Sequence, residues 1–491
     1  MKKVLFVAAL LLITTSVLHG EETAKPIEWT FGGELNFEPS VLDGEPTLYD
    51  ILYTSLSYEY DFFYTFVDFS LRNDKRYSPS ERFFLGHYFY LNQGGTVFTF
   101  DLVKLKLGTF LHRDIIDSPY SLMISAQDQN REFWRPGLPA MQADFIFQTG
   151  AFTFESRWLK LNWRSSISNT VYPSGYPDRG ANYKVYALNF GDMRFGFQDS
   201  VVYVGRVFDP EYFFSPIPTV GHQLIRDSGK PWSEDSDDNS IISWFYDWST
   251  PDSYLYAQWL LDDINLDFII PAFMRDTWGY KQIPQKTAWS LGGYYDFNFG
   301  RLGFYHAGAT KYTFAATNND LSLPYQYTYY PDVTYTTSSY HPTPGVEMAI
   351  DPMDNYIGYK YGENNLAFLL DYGNTFGPVD FGASLEYVIS GSKSPANPWH
   401  DYTSDEAAGS DTRLLDDAVL EHTVSAHVRA LWSWRKLTLY SQLRIGGVFN
   451  QLTLDTAGDD PNPAIYRPQT GSHKLIYQIK LGATYRFNFG R

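Results

Sequence analysis

Cysteine is absent from all 491 residues. Its absence excludes a disulfide framework and a thiolate metal centre. Charge is also scarce: Asp, Glu, Lys and Arg make up 19% of the chain, barely more than the 18% supplied by Phe, Trp and Tyr. Basic residues are the scarcer sign, 38 against 56 acidic. The chain therefore lacks the basic face that phosphate binding needs, and nucleic acid is excluded as a partner. Long apolar runs are missing too: beyond Gly20 no stretch reaches the roughly 18 residues that a membrane-spanning helix requires. Yet Tyr and Phe number 39 and 37, and mean hydropathy is -0.31. Apolar surface is abundant but spread along the chain.

The first residues, "MKKVLFVAALLLITTSVLHGEE", hold two lysines, an apolar stretch from Val4 to Val17, and Gly20 before Glu21. This pattern predicts a secretory signal peptide over residues 1–20, cut between Gly20 and Glu21. Residues 21–491 then form a single domain, since no linker or composition shift divides them.

The last segment, His473 to Phe489, sets the fold class. Leu475, Tyr477, Ile479, Leu481, Ala483, Tyr485, Phe487 and Phe489 share one face, and Lys474, Gln478, Lys480, Thr484, Arg486 and Asn488 the other. A lipid-facing barrel strand needs such period-two alternation, because one face meets hydrocarbon and the other water. The pattern recurs at Leu420 to Trp434, where Trp432 and Trp434 suit an interfacial girdle beside a turn at Arg435-Lys436. The expectation is an all-β fold: a transmembrane antiparallel β-barrel of about 18 strands, as bacterial barrels have even numbers. The strands fall near 27–37, 53–61, 63–71, 83–101, 103–110, 141–148, 151–163, 182–190, 194–205, 241–248, 254–268, 287–299, 302–314, 355–372, 379–390, 418–434, 437–449 and 473–489. Short turns then lie on the periplasmic side. Longer segments, including 38–52, 111–140, 206–240 and 315–354, lie outside the cell.

Catalysis finds no support in the motifs. G-x-S-x-G and H-E-x-x-H are absent, and His422 and His427 fall on opposite strand faces. No cofactor or metal is expected. The acidic stretches Ser233 to Ser240 and Asp455 to Asn462 lack the ligand spacing of a calcium loop and read as solvated. Tyr325, Tyr327, Tyr329 and Tyr330 stand in a Tyr- and Thr-rich segment. Extended, it would place the odd-numbered rings on one face as a platform for sugar, or pack them over the barrel mouth.

The stretch "SYLYAQWLLDDINLDFIIP", Ser253 to Pro271, changes phase. Its apolar face is on odd positions through Leu261 and on even positions from Ile264. One extra residue reconciles the two halves, which predicts a β-bulge at Asp262-Asp263 with both acids facing water.

"DPEYFFSPIPTVGHQLI" (Asp209 to Ile225), followed by "SYLYAQWLLDDI" (Ser253 to Ile264), resembles the capsule-assembly outer-membrane family Wzi. Gln258 with Leu261-Asp262-Asp263 is the most specific part, and "DSPYSLMIS" (Asp117 to Ser125) falls in the right order. The resemblance implies an eighteen-stranded barrel that binds or organises surface polysaccharide in the outer membrane of a didermic bacterium, without enzymatic activity. Expected partners are outer-membrane lipid and surface polysaccharide or lipopolysaccharide, with the chain as a monomer. The alternatives are a general porin for small solutes and a surface adhesin.

Overall fold

The computed structural model describes residues 28–37, 39–42, 45–48, 50–72, 86–124, 139–164, 178–226, 238–263, 285–314, 358–393, 413–455 and 465–490. The described strands begin with β1 (Glu28–Phe37), β2 (Pro39–Leu42), β3 (Glu45–Leu48), β4 (Asp50–Tyr60), β5 (Phe63–Arg72), β6 (Tyr88–Thr99) and β7 (Val103–Leu111). They continue with β8 (Pro139–Gln148), β9 (Phe152–Asn162), β10 (Arg179–Phe190), β11 (Met193–Val204), β12 (Asn239–Thr250), β13 (Ser253–Asp263), β14 (Lys286–Phe297) and β15 (Gly300–Ala309). The last are β16 (Asn365–Phe376), β17 (Val379–Ser390), β18 (Glu421–Trp434), β19 (Leu437–Phe449), β20 (Leu452–Asp455), β21 (Ile465–Pro468) and β22 (His473–Gly490).

Each stave pairs antiparallel with its neighbours, and β1 pairs with β22, which closes the sheet. The wall is an eighteen-stave barrel made of β1, β4 to β19 and β22. All eighteen expected strands are present. The differences lie at their ends and between them. Residues 38–52, expected as a loop, contain β2 and β3, a hairpin that prolongs β1 and β4. The strand expected from 355 starts only at Asn365, and the one expected to 314 stops at Ala309.

Alternation builds the two surfaces. On β13, Leu255 and Trp259 are exposed on the outer face, while Tyr254, Tyr256, Gln258 and Leu260 are buried on the inner face. On β22, Leu475, Tyr477, Leu481 and Tyr485 point outward. This apolar outer band is what a barrel presents to hydrocarbon, where closure also removes the unpaired strand edges. The tight turns need left-handed backbone: Asp61 and Arg435 have φ of 48° and 54°. Each is the first of the two central residues of its turn, and the second, Phe62 or Lys436, keeps a negative φ.

Two segments expected to lie outside the cell do not simply extend outward. Residues 112–124, after β7, turn into the lumen. Residues 206–226, after β11, lie against the outer wall of β9 to β12. They include the helices Pro210–Phe214 and Thr219–Arg226.

Candidate functional site

The inward segment is held where the wall offers polar side chains. Arg157 on β9 begins the clamp. Its guanidinium donates to the Arg113 carbonyl at 2.7 Å and meets His112 Nδ1 at 3.0 Å. Arg157 is itself held by Asp144 at 3.3 Å and Glu155 at 2.5 Å. Arg194 on β11 forms an ion pair with Asp247 and donates to the Ile115 carbonyl at 3.1 Å.

Asp114 is the knot of the segment. Its carboxylate accepts from the Ile115 N–H at 2.7 Å, Ser121 Oγ at 2.5 Å, Tyr183 Oη at 2.9 Å, Gln198 Nε2 at 2.5 Å and Gln258 Nε2 at 3.1 Å. A carboxylate drawn half out of water is stabilised by such a surround of donors. Gln258 ties both ends together. Its Nε2 also donates to Gln198 Oε1 at 2.8 Å, and its Oε1 accepts the Leu122 N–H at 2.8 Å. Further along, the Asp117 N–H donates to Tyr254 Oη at 3.1 Å, and Ser118 Oγ donates to Tyr256 Oη at 2.5 Å. Apolar packing completes the seat: Ile116, Tyr120, Leu122, Met123 and Ile124 join one buried cluster with Leu159, Tyr183, Val185 and Leu260.

The segment then crosses the lumen. Tyr120 Oη donates to Glu386 on β17 at 2.8 Å, and Lys360 Nζ lies 3.2 Å from the same carboxylate. Lys360 also covers the rings of Tyr120 and Tyr361 at 4.9 and 4.8 Å. Burial first, and then the Glu386 charge, push the Tyr120 phenol well above its ordinary value, so it remains a hydroxyl donor. Residues 358–364 form a second inward contact, with the Gly358 N–H donating to the Met123 carbonyl at 3.0 Å.

Among the described residues, the inward segments fill the lumen mainly against β9 to β14. Along the opposite side a cavity of about 1180 Å³ runs beside the staves β14 to β19 and β22. It reaches from Asp296 and Arg301 at the short-turn rim to Gln451 and Leu452 at the long-loop rim. Lys360, Glu386, His427, Arg429 and Arg444 line it, so both signs of charge face the space. Register puts His427 opposite Arg444, and Arg429 one step nearer the short-turn rim. The Arg444 guanidinium lies 3.5 Å from Ser425 Oγ and within electrostatic reach of Glu386 and His427.

The residues singled out in the sequence fare differently. Gln258 lies at the centre of the site. At the predicted bulge, Leu261 pairs with Thr287 and Asp263 with Lys286, leaving Asp262 between them. The Asp262 carboxylate does not face water. It is buried 3.6 Å from Lys286 Nζ and accepts the Phe314 N–H at 2.9 Å, because the turn after β15 covers it. Residues 264–270, which carry the second apolar phase, lie outside the described residues. So do Gly20, Glu21, Tyr325, Tyr327, Tyr329 and Tyr330. His427 faces the cavity, while His422 stacks on Tyr387 on the outer face. Sequence reading missed Asp114, Tyr120, Gln198, Lys360 and Glu386. Its available signal was the run Ile115, Ile116, Leu122, Met123 and Ile124, too apolar for a segment lying in water.

No protein-family model matches the chain, and no curated protein matches it. Solved structures that resemble it include the outer membrane protein OpdK from Pseudomonas aeruginosa, 9% identical over 94% of this chain and 99% of that one, with a TM-score of 0.45. OccAB4 from Acinetobacter baumannii is 10% identical over 96% of this chain and 100% of that one, with a TM-score of 0.44. A loop-deletion form of OmpT, an outer membrane protein of Vibrio cholerae, is 9% identical over 94% and 100%, with a TM-score of 0.36. These likenesses carry no argument about function, and the barrel rests on its own strand pairing.

Proposed function

We propose that the protein is an outer-membrane channel for small solutes, passing beside an inward-folded loop that narrows the lumen. The observation that carries this reading is the cavity running from one rim to the other along β14 to β19 and β22. A barrel meant only as a wall gains nothing from keeping a charged passage beside a packed half. The charges of both signs favour polar solutes. The chain reaches the outer membrane of a didermic bacterium by its signal peptide, cleaved after Gly20, and contacts outer-membrane lipid there as a monomer. The test is single-channel recording from the purified protein in planar bilayers. Discrete, ohmic current steps are expected, and a silent bilayer containing folded protein overturns the reading.

A second reading, that the barrel organises surface polysaccharide, rests on the resemblance around Gln258 and on the tyrosines 325–330. Gln258, its most specific residue, supports it by anchoring the inward loop. Deleting residues 323–344 and measuring surface glycan on cells tests it; unchanged glycan retention removes that reading.

A further inference from the structure

The outer face of β9 to β12 carries groups that do not belong in hydrocarbon. Ser156, Asn182, Lys184 and Asp199 point away from the lumen, yet each is fully buried. Lys184 and Asp199 are direct cross-strand partners, and Lys184 is the sixth residue of the twelve in β10, so the pair sits near mid-height. What covers them is the segment from Arg206 to Arg226.

The contacts are made to its backbone. Trp158 Nε1 donates to the Val207 carbonyl at 2.5 Å, and Ser156 Oγ to that of Phe213 at 2.8 Å. Tyr186 Oη donates to the Pro216 carbonyl at 2.9 Å, and Lys184 Nζ to that of Ile217 at 2.5 Å. Asp199 accepts the Thr219 N–H. Asp209 caps the first helix by accepting the Glu211 and Tyr212 N–H groups at 2.9 and 3.1 Å. Pro210, Pro216 and Pro218 have no N–H to satisfy. Tyr212 stacks on Tyr203, and Arg206 bridges Asp209 and Asp238. The side turned outward is mostly apolar: Phe208, Phe214 and Ile217 are exposed, Phe214 to 74%, and Glu211 is the exposed charge beside them.

Irregular backbone is tolerated at membrane depth only where protein groups satisfy it. A flap standing in water would need neither four side-chain donors on its carbonyls nor an aromatic outer surface. We infer that residues 206–226 form a flap immersed in the outer-leaflet hydrocarbon, with Phe208, Phe214 and Ile217 docked among lipid acyl chains. Continuity with the surrounding apolar wall argues for lipid. Three side chains are far short of the roughly 800 Å² per partner that a stable protein interface buries. The inference rests on the barrel lying in a membrane and is independent of solute passage.

The chain has no cysteine, so single replacements give unique spin-label sites. Phe214→Cys and Ile217→Cys, with Leu385→Cys on the far outer wall as reference, are labelled in the full-length protein in phospholipid nanodiscs. Collision with oxygen and with a water-soluble nickel chelate is then measured. Oxygen should dominate at 214 and 217 as it does at 385. Nickel access at 217 while 385 stays lipid-exposed overturns the flap, and so does exclusion of both probes with spin–spin broadening, which marks a second copy. Nickel access at 385 as well overturns the membrane reading beneath it. Adding Lys184→Met to Ile217→Cys should raise label mobility at 217; unchanged mobility overturns the role given to the lysine.

Discussion

Replacing Gln258 by Leu removes the amide that joins the inward loop to β11 and β13 while keeping the side chain's approximate volume. Three hydrogen bonds disappear: two donated, to Asp114 and Gln198, and one accepted from Leu122. Asp114 keeps its other donors. The Leu122 N–H and Gln198 Oε1 are left buried without these partners, at about 1–3 kcal/mol each, or about 2–6 kcal/mol together. A loss of about 3 kcal/mol moves the ratio of docked to undocked loop by more than about 100-fold. The expected single-channel record shows openings to a larger conductance and added open-state noise. Leu255→Ala, on the outward face of the same strand, should leave the record as in the wild type. If Gln258→Leu matches the wild type in conductance and noise while current flows through both, the loop does not set the constriction.

Lys286→Met should lower stability by about 3–5 kcal/mol by removing the cation beside the buried Asp262 carboxylate. The temperature at which the folded band is lost in gel electrophoresis reads this, and Asp262→Asn added to it should recover part. Arg444→Glu reverses a charge on the cavity wall and should move the reversal potential in a salt gradient toward cation selectivity; no shift removes the cavity from the ion path. Asp417 lies in the segment before β18. Burial works to raise its pKa, but the Ser392 N–H at 2.7 Å, Lys311 and the Asn364 amide outweigh it and hold the carboxyl below its ordinary value. Its stabilising contribution is therefore complete above the ordinary carboxylate range and lost as pH falls below it. Asp417→Asn should flatten the acid limb of a melting-temperature profile; an unchanged limb refutes this.

The wall was legible because its physics is local. Alternation at residues 473–489 and the two Trp beside Arg435 depend only on which neighbour meets lipid, and both stand as expected in β22 and β18. A register slip was legible too, since the phase change at Asp262 is written in the order of apolar residues. The loops were not legible, because their destination depends on partners far along the chain. Asp114 meets Gln198 and Gln258, 84 and 144 residues away. Tyr120 meets Glu386, 266 residues away. Nothing near "DSPYSLMIS" tells whether its apolar residues turn toward the lumen or the medium. The same holds for "DPEYFFSPIPTV", whose seat is made by Lys184 and Asp199 on other staves.

The pairing of β1 with β22 over Thr30–Phe37 and Ala483–Gly490 bears on how the barrel is made. β22 is also bonded to β19 along Leu437–Phe449. While the sheet grows, it is thus an open ribbon with unpaired edges at β1 and β19, and such edges recruit foreign strands. Residues 473–490 seal both edges at once. Closure then hinges on one strand, and a sheet still lacking it must be guarded, or held on a template, until that strand is in place.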